Sequence, residues 1–345
     1  MNKSLSQPTV PNSPSVLEAS SVSNGLGFLV KQPGMLSLIQ DGGRYGSFNI
    51  GLTNGGPLDK TAFQWANKLC GNPKNVSAIE VSIGGLSLIA QKNSIIAVTG
   101  AQMPFSINGQ AKSLWRSYSV AEGDVIELGF STMGVRCYLA VKGGFQITPS
   151  FGSSATVCRE KVGGLNGDKI TVNDVLPFAS DDLKRELKSI NHLMLPEKYQ
   201  PTYSNEVVLH TVPSYQQQHF SAAQQRLFFT SEYQVSKSCD RMGYRLEGKA
   251  IGCDIEGILS EGICHGAIQI PSDGQPIVLL NDRQTIGGYP KMGAVTALDT
   301  AKLAQLASGA KVRFEPISME QAHNNFHLHL SLFNRITLQT CDSNE

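Results

Sequence analysis

The sequence predicts a mainly β protein with a few helices, built as two packed domains. From Leu26 onward, short apolar runs alternate with Gly, Asn and Asp clusters, the pattern of strands joined by tight turns. There are 34 glycines and 16 prolines without collagen or linker periodicity, which implies many turns and close backbone approaches. The 345 residues exceed the usual size of one domain, so two cores are expected.

Residues Met1 to Asn24 are rich in Ser, Pro, Asn and Val and lack the continuous apolar core of a secretory signal, so residues 1–25 read as a disordered extension. The first domain is expected over 26–195. Ile95–Thr99, Val125–Leu128 and Cys137–Val141 read as strands. One helix is clear: Asp59 caps it, Ala62, Phe63, Ala66, Leu69 and Cys70 share a face, and Gly71 and Pro73 stop it. The charged run Ser180–Ile190 is also helical in pattern, and Leu195–Asn205, bearing Pro and Tyr, marks the boundary to a second domain over 196–322. There, Val207–Val212 reads as a strand and Ser214–Phe228 as a helix. Asp299 is read as the cap of a short helix stopped by Gly309, followed by a strand at Lys311–Phe314. Ser318 and Gln321 form a capping-box pattern that opens a last helix, leaving a helix and tail over 323–345.

Charge excludes some partners. With 29 Lys+Arg against 28 Asp+Glu, no excess is available for a phosphate backbone or an anionic membrane surface, and no segment reaches the length of a membrane span. Seven cysteines, without a CxxC pair or zinc spacing, read as reduced thiols of a cytoplasmic protein. His323, His327 and His329 lack an accompanying carboxylate and read as a solvated helix face rather than a metal site. Adjacent Cys264 and His265 point apart on an extended chain and do not pair as nucleophile and base. Neither a GxSxG elbow nor a P-loop occurs.

Four constellations carry candidate chemistry. Gln40–Asp59 gathers Asp41, Arg44, Asn54 and Asp59 among glycines, as ligand contacts or as structural turns. Gly152–Asp168 places Arg159 and Glu160 near Gly163 and Gly164, where a solvated surface loop is the simpler reading. In Cys239–Gly248, Arg241 and Arg245 project to the same side if the chain is extended, forming either a fork for an anion or an exposed hairpin pair. The fourth, GAIQIPSDGQPIVLLNDRQTIGGYPKMG from Gly266 to Gly293, is read as the functional centre. Two strands, Ile268–Ile270 and Ile277–Leu280, deliver Asn281, Asp282, Arg283, Gln284 and Thr285 onto a glycine-hinged loop that ends in Tyr289 and Lys291.

In order, QDGGR, PLD, AIE, YLAVKGGF, GSSAT, GGLNGD, DRMGYRLEG and the Gly266–Gly293 segment resemble the biotin-dependent carboxyltransferase-like family. That family includes the C subunit of bacterial 5-oxoprolinase and the second subunit of allophanate hydrolase. The resemblance spans about Leu26 to Ala322. Ala155, where the family tends to carry Ser, and the Val172–Asp174 turn depart from it.

The resemblance implies two cyclophilin-like β-barrel domains working beside a companion subunit of related fold, with a third subunit joining. The implied reaction is ATP-dependent opening of the 5-oxoproline lactam to glutamate, with ATP as co-substrate of the assembly. Asp282, Asp41 and Arg241 are then the candidate catalytic residues. Arg44, Asn54, Arg159, Arg245, Gln269, Gln284, Thr285, Tyr289 and Lys291 are the candidate substrate contacts. Alternative readings are a carboxyltransferase component of a urea carboxylase-like system, which needs biotin on a separate carrier, and a regulatory module that completes an interface in a kinase-inhibitor complex. Prolyl isomerisation rests on topology alone.

Overall fold

The computed structural model describes residues 26–179, 192–255 and 257–341. The expected extension over 1–25 and the helix expected over Ser180–Ile190 lie outside them. The fold is mainly β, as predicted. In the first half, two antiparallel sheets face each other across one core. One runs Val175–Pro177, Gly27–Pro33, Leu86–Ala90, Val125–Leu128, Phe105–Ile107 and Gln110–Lys112. The other runs Leu36–Gln40, Ala78–Ser82, Met133–Val141, Ser94–Gln102, Arg116–Val120, His192–Met194 and Gln339–Cys341.

Strand periodicity explains the layering. Ile96, Val98, Leu139 and Val141 point into the shared core with Phe28, Leu88 and Ile126. Their neighbours Ala97, Tyr138 and Ala140 point the other way, and the two alanines leave room for a helix to pack closely. That helix is α1 (Lys60–Leu69). The Asp59 carboxylate accepts the Ala62 N–H at 3.0 Å, and the predicted apolar face of α1 is buried.

The second half is a closed seven-stranded barrel. It runs Glu206–Pro213, Lys291–Val295, Ala267–Gln269, Ile277–Leu279, Gly243–Glu247, Tyr233–Cys239 and Lys311–Pro316, and the last strand closes in parallel on the first. The helix expected over Ser214–Phe228 is broken in two. Ser214 caps a 3-10 turn over Tyr215–His219, Phe220 is extended and buried in the barrel core, and Ser221 caps α2 (Ala222–Thr230). Two Ser caps, each at the start of its own short helix, satisfy two sets of free N–H groups, which one continuous helix does not present.

Asp299 is not the cap of α3 (Ala297–Leu303); Thr296 holds that position. The Asp299 carboxylate lies in the first turn, where it accepts the His210 backbone N–H at 2.8 Å and faces the His210 ring at 2.7 Å. The predicted capping box opens α4 (Met319–Arg335). Its Phe333 packs on Trp65 at 4.5 Å, and Lys68 donates to the Phe333 and Ile336 carbonyls at 2.9 and 3.0 Å, so α4 is tied to the first half. Among the described residues no helix is long and apolar enough to cross a membrane.

Candidate functional site

The first two constellations bind each other. Asp41 accepts from Ser153 Oγ at 2.5 Å, from the Ser154 backbone at 2.7 Å and from Gly43 at 2.9 Å. It also accepts from Ser154 Oγ at 3.1 Å. Buried Arg44 donates to the carbonyls of Ser150, Ser153 and Ala155 at 3.0–3.2 Å. Asn54 donates to the Arg44 carbonyl at 2.7 Å, and Glu160 accepts the Thr53 N–H. These groups hold the Ser150–Thr156 loop against Gln40–Asp59. These donors occupy both Asp41 oxygens, so the carboxylate is taken up by the loop contact.

Arg241 and Asp282 meet in the seam between the halves. The Arg241 guanidinium is buried and forks onto Asp282 through Nε and Nη2 at 2.9 and 3.0 Å. Its Nη1 meets Glu80 at 2.5 Å, and Nη2 also donates to the Gly56 carbonyl at 2.7 Å. Glu80 further accepts from Leu58 N–H at 2.9 Å and Tyr138 hydroxyl at 2.7 Å. Burial alone raises its carboxyl, but Arg241 and Arg136 outweigh that and hold it below the ordinary carboxylate range.

Gln305 extends the seam. Its amide nitrogen donates to Asp59 at 2.8 Å, and its oxygen accepts the Val135 and Arg136 N–H groups at 2.9 Å. Burial pushes the Asp59 carboxyl up, against its bonds from Ala62, Gln305 and Tyr203. Leu58 enters the barrel core itself. The pairing of Arg241 with Arg245 into one anion fork does not occur: Arg245, half-buried, pairs with Asp273, while Arg241 turns into the seam. A turn at Asp240–Met242 precedes the strand and breaks the extended geometry that the pairing required.

The Gly266–Gly293 segment does line cavities. Arg159, Gln269, Gln284, Thr285, Gly287 and Tyr289 surround a pocket of about 370 Å³, at the lower end of the range for small-molecule sites. Gln269 is 4 % exposed, and its amide nitrogen has no hydrogen-bond partner among the described residues. It abuts Gly287, where an added Cβ would lie 2.9 Å from it. A buried, unsatisfied donor is a costly feature that a polar ligand would relieve. Arg159 is engaged by Glu160 at 2.9 Å but stays part-exposed at the pocket wall.

Lys291 lines a different cavity, a groove of about 1340 Å³ between the barrel and α4, with His210, Tyr215, Glu261, Phe326 and His329. A two-stranded ribbon, Glu261–Gly262 paired with Ile286–Gly287, forms a wall of both cavities. His323 and His329 face this groove, and His329 lies 3.4 Å from Thr61 Oγ1.

Sequence reasoning missed Glu80, Gln305, Gln216 and Glu261. Only Glu80 carried a local signal, the lone charge in a strand of otherwise uncharged residues, Ala78–Ser82.

A closed barrel joined through a polar seam to a two-sheet layer defines the class, and comparison with known proteins agrees. The chain belongs to the carboxyltransferase domain family containing subdomains A and B, whose model matches residues 50–316. It is 34% identical over 286 residues to the C subunit of the Haemophilus influenzae 5-oxoprolinase, covering 82% of this chain and 89% of that protein. It is 29% identical over 309 residues to the urea amidolyase of Saccharomyces cerevisiae, covering 85% of this chain but 17% of that one. The crystal structure of Kluyveromyces lactis urea amidolyase superposes with a TM-score of 0.84 at 24% identity, over 92% of this chain and 20% of that one, which establishes likeness of fold.

Proposed function

We propose that this chain is one subunit of an ATP-dependent 5-oxoprolinase, which opens the 5-oxoproline lactam to glutamate together with a companion of related fold and a third subunit. The observation that carries the reading is the pocket with the unpartnered Gln269 amide, in a chain that matches a 5-oxoprolinase C subunit over most of both proteins. 5-Oxoproline is a small cyclic amide that also bears a carboxylate. Gln269, Gln284 and Thr285 offer amide and hydroxyl partners for the ring, and Arg159 offers a cation.

An amide is a poor electrophile, and ATP bound in the assembled enzyme would supply its activation, with ADP and phosphate released as the C–N bond opens to glutamate. Asp41 and Asp282 are committed to the loop contacts and to the seam. The proton acceptor is therefore assigned to the assembled site, with the pocket completed by another subunit.

The test is reconstitution with the companion subunits and measurement of glutamate formed from 5-oxoproline with and without ATP. Gln269→Ala is expected to lower kcat/KM by roughly tenfold, the worth of one hydrogen bond to a buried group. Absence of turnover in every assembly, alongside biotin-dependent carboxylation of urea, would replace this reading with the carboxyltransferase one, to which the urea amidolyase likeness points.

A further inference from the structure

Lys291 and Gln269 are cross-strand partners on the barrel, and each is more than nine-tenths buried. The Lys291 ammonium brings three N–H donors to a place where its ion-pair acceptor is Glu261 Oε1, at 2.5 Å. Two further donors aim at the same carboxylate: Gln216 Nε2 at 2.8 Å from Oε1, and the Tyr215 hydroxyl at Oε2.

The donors and the acceptor are held very differently. Lys291 belongs to the closed barrel. Gln216 is locked beside it, its side-chain oxygen accepting the Lys291 backbone N–H at 2.9 Å, and Ser214 caps the turn that carries Tyr215 and Gln216. Glu261 sits on a two-residue strand whose ladder partner is Ile286–Gly287, flanked by backbone bonds from Ile258 to Gly288 at 2.8 Å and from Ile263 to Thr285 at 3.0 Å, and its side chain is one-third exposed. An isolated two-stranded ribbon is marginally stable in water. A preorganised cradle of three donors is thus filled by a carboxylate carried on a short ribbon outside the barrel.

We propose that Tyr215, Gln216 and Lys291 form a binding site for the carboxylate of a small organic acid, opening on the large groove, and that the Glu261 side chain occupies it as an internal stand-in. The ligand displaces Glu261 together with its ribbon. Because that ribbon is a wall of both cavities, its displacement joins the Lys291 cradle to the Gln269 pocket. Ladder partners lie about 5 Å apart at Cα, so a cation and an amide donor then face one space, matching an acid whose carboxylate adjoins a ring amide. Only this choice of ligand, 5-oxoproline, rests on the lactam-opening reading.

An internal competitor lowers apparent affinity in proportion to its occupancy, so removing it strengthens binding. Calorimetric titration of the full chain with 5-oxoproline is expected to show Glu261→Ala binding about tenfold tighter than wild type. Lys291→Met and the double variant should bind at least about tenfold more weakly than Glu261→Ala. Propionate should follow the same order, and 2-pyrrolidinone, which lacks the carboxylate, should be indifferent to all three changes. Glu261→Gln, which keeps the side chain's volume, should give a smaller gain in the same direction.

Thermal midpoints of each variant report folding. If both Glu261 variants fold and neither binds 5-oxoproline or propionate more tightly than wild type, the site is refuted. If Glu261→Ala gains affinity for both acids while the assembled enzyme forms no glutamate, the carboxylate site stands and the lactam reading falls. If the enzyme turns over 5-oxoproline and neither Glu261→Ala nor Lys291→Met changes KM, the site falls and the reading stands.

Discussion

Replacing Arg241 with methionine removes the cation from the middle of the seam while keeping most of its length and apolar stem. The guanidinium makes three contacts to carboxylates and one to a carbonyl, all between 2.5 and 3.0 Å, and the residue is 6 % exposed. Without it, the Glu80 and Asp282 carboxylates face each other with little water to replace the lost charge. Breaking a buried ion pair by removing one partner costs about 3–5 kcal/mol, a large share of the roughly 5–15 kcal/mol typical of whole domains. The expected drop in thermal midpoint is on the order of 10 °C. Trp65 and Trp115 both lie in the first half, so tryptophan fluorescence follows that half while far-UV circular dichroism follows both. In urea, the wild-type curves should coincide, and in Arg241→Met they should shift to lower denaturant and separate as the halves uncouple. A variant as stable as wild type that had lost turnover in the assembled enzyme would refute the structural assignment and return Arg241 to the substrate.

Two further predictions concern neighbouring residues. Gly287→Ala should raise KM for the ligand of the small pocket several-fold at a stability cost of about 1–3 kcal/mol, because the new Cβ meets the Gln269 amide at 2.9 Å and buried Ile263 Cδ1 at 2.5 Å while no left-handed backbone is at stake; unchanged KM would show that Gln269 is not a ligand contact. His265 is pulled down from 6.5 to about 4, mainly by desolvation of its ring, with Arg283 and Lys60 adding repulsion. The unfolded chain then binds the extra proton first, so this contribution to stability is complete above about pH 6.5 and falls by roughly 3 kcal/mol as pH drops to about 4; in urea titrations His265→Gln should flatten that interval, and an unaltered slope would remove His265 as its source.

What is readable from sequence is what is local. Asp59, the apolar stripe after it and Gly71 specify α1 within one short run, and Ser318 with Gln321 does the same for α4. The Gly266–Gly293 segment is recognisable because two strands and a polar turn lie close together in the chain, and its Gln269, Gln284, Thr285 and Tyr289 do share a pocket. Pairing across the fold is not readable. Arg241 and Glu80 are 161 residues apart, and nothing near Arg241 distinguishes an arginine that meets a buried carboxylate from one that awaits a ligand. The misplaced cap at Asp299 has the same origin: a carboxylate near a helix start satisfies the local rule, while its actual partner, His210, comes from a distant strand.

The seam and the ribbon use the same chemistry to opposite ends, and the difference lies in what carries the carboxylate. At the seam, Glu80 stands in the middle of a strand buried on both faces and Asp282 closely follows a barrel strand, so neither can leave Arg241 without disrupting a core. At the ribbon, the cation is equally buried but its carboxylate is carried by a two-residue strand at the surface. Exchange of Glu261 for an outside carboxylate conserves the charge-assisted hydrogen bonds and costs the ribbon's short pairing and its flanking backbone bonds, whereas exchange at Arg241 would have to open the interface between the halves. Sequence alone presents both residues as anion-binding cations, and this difference in anchoring is the ground for proposing a ligand at Lys291 and not at Arg241.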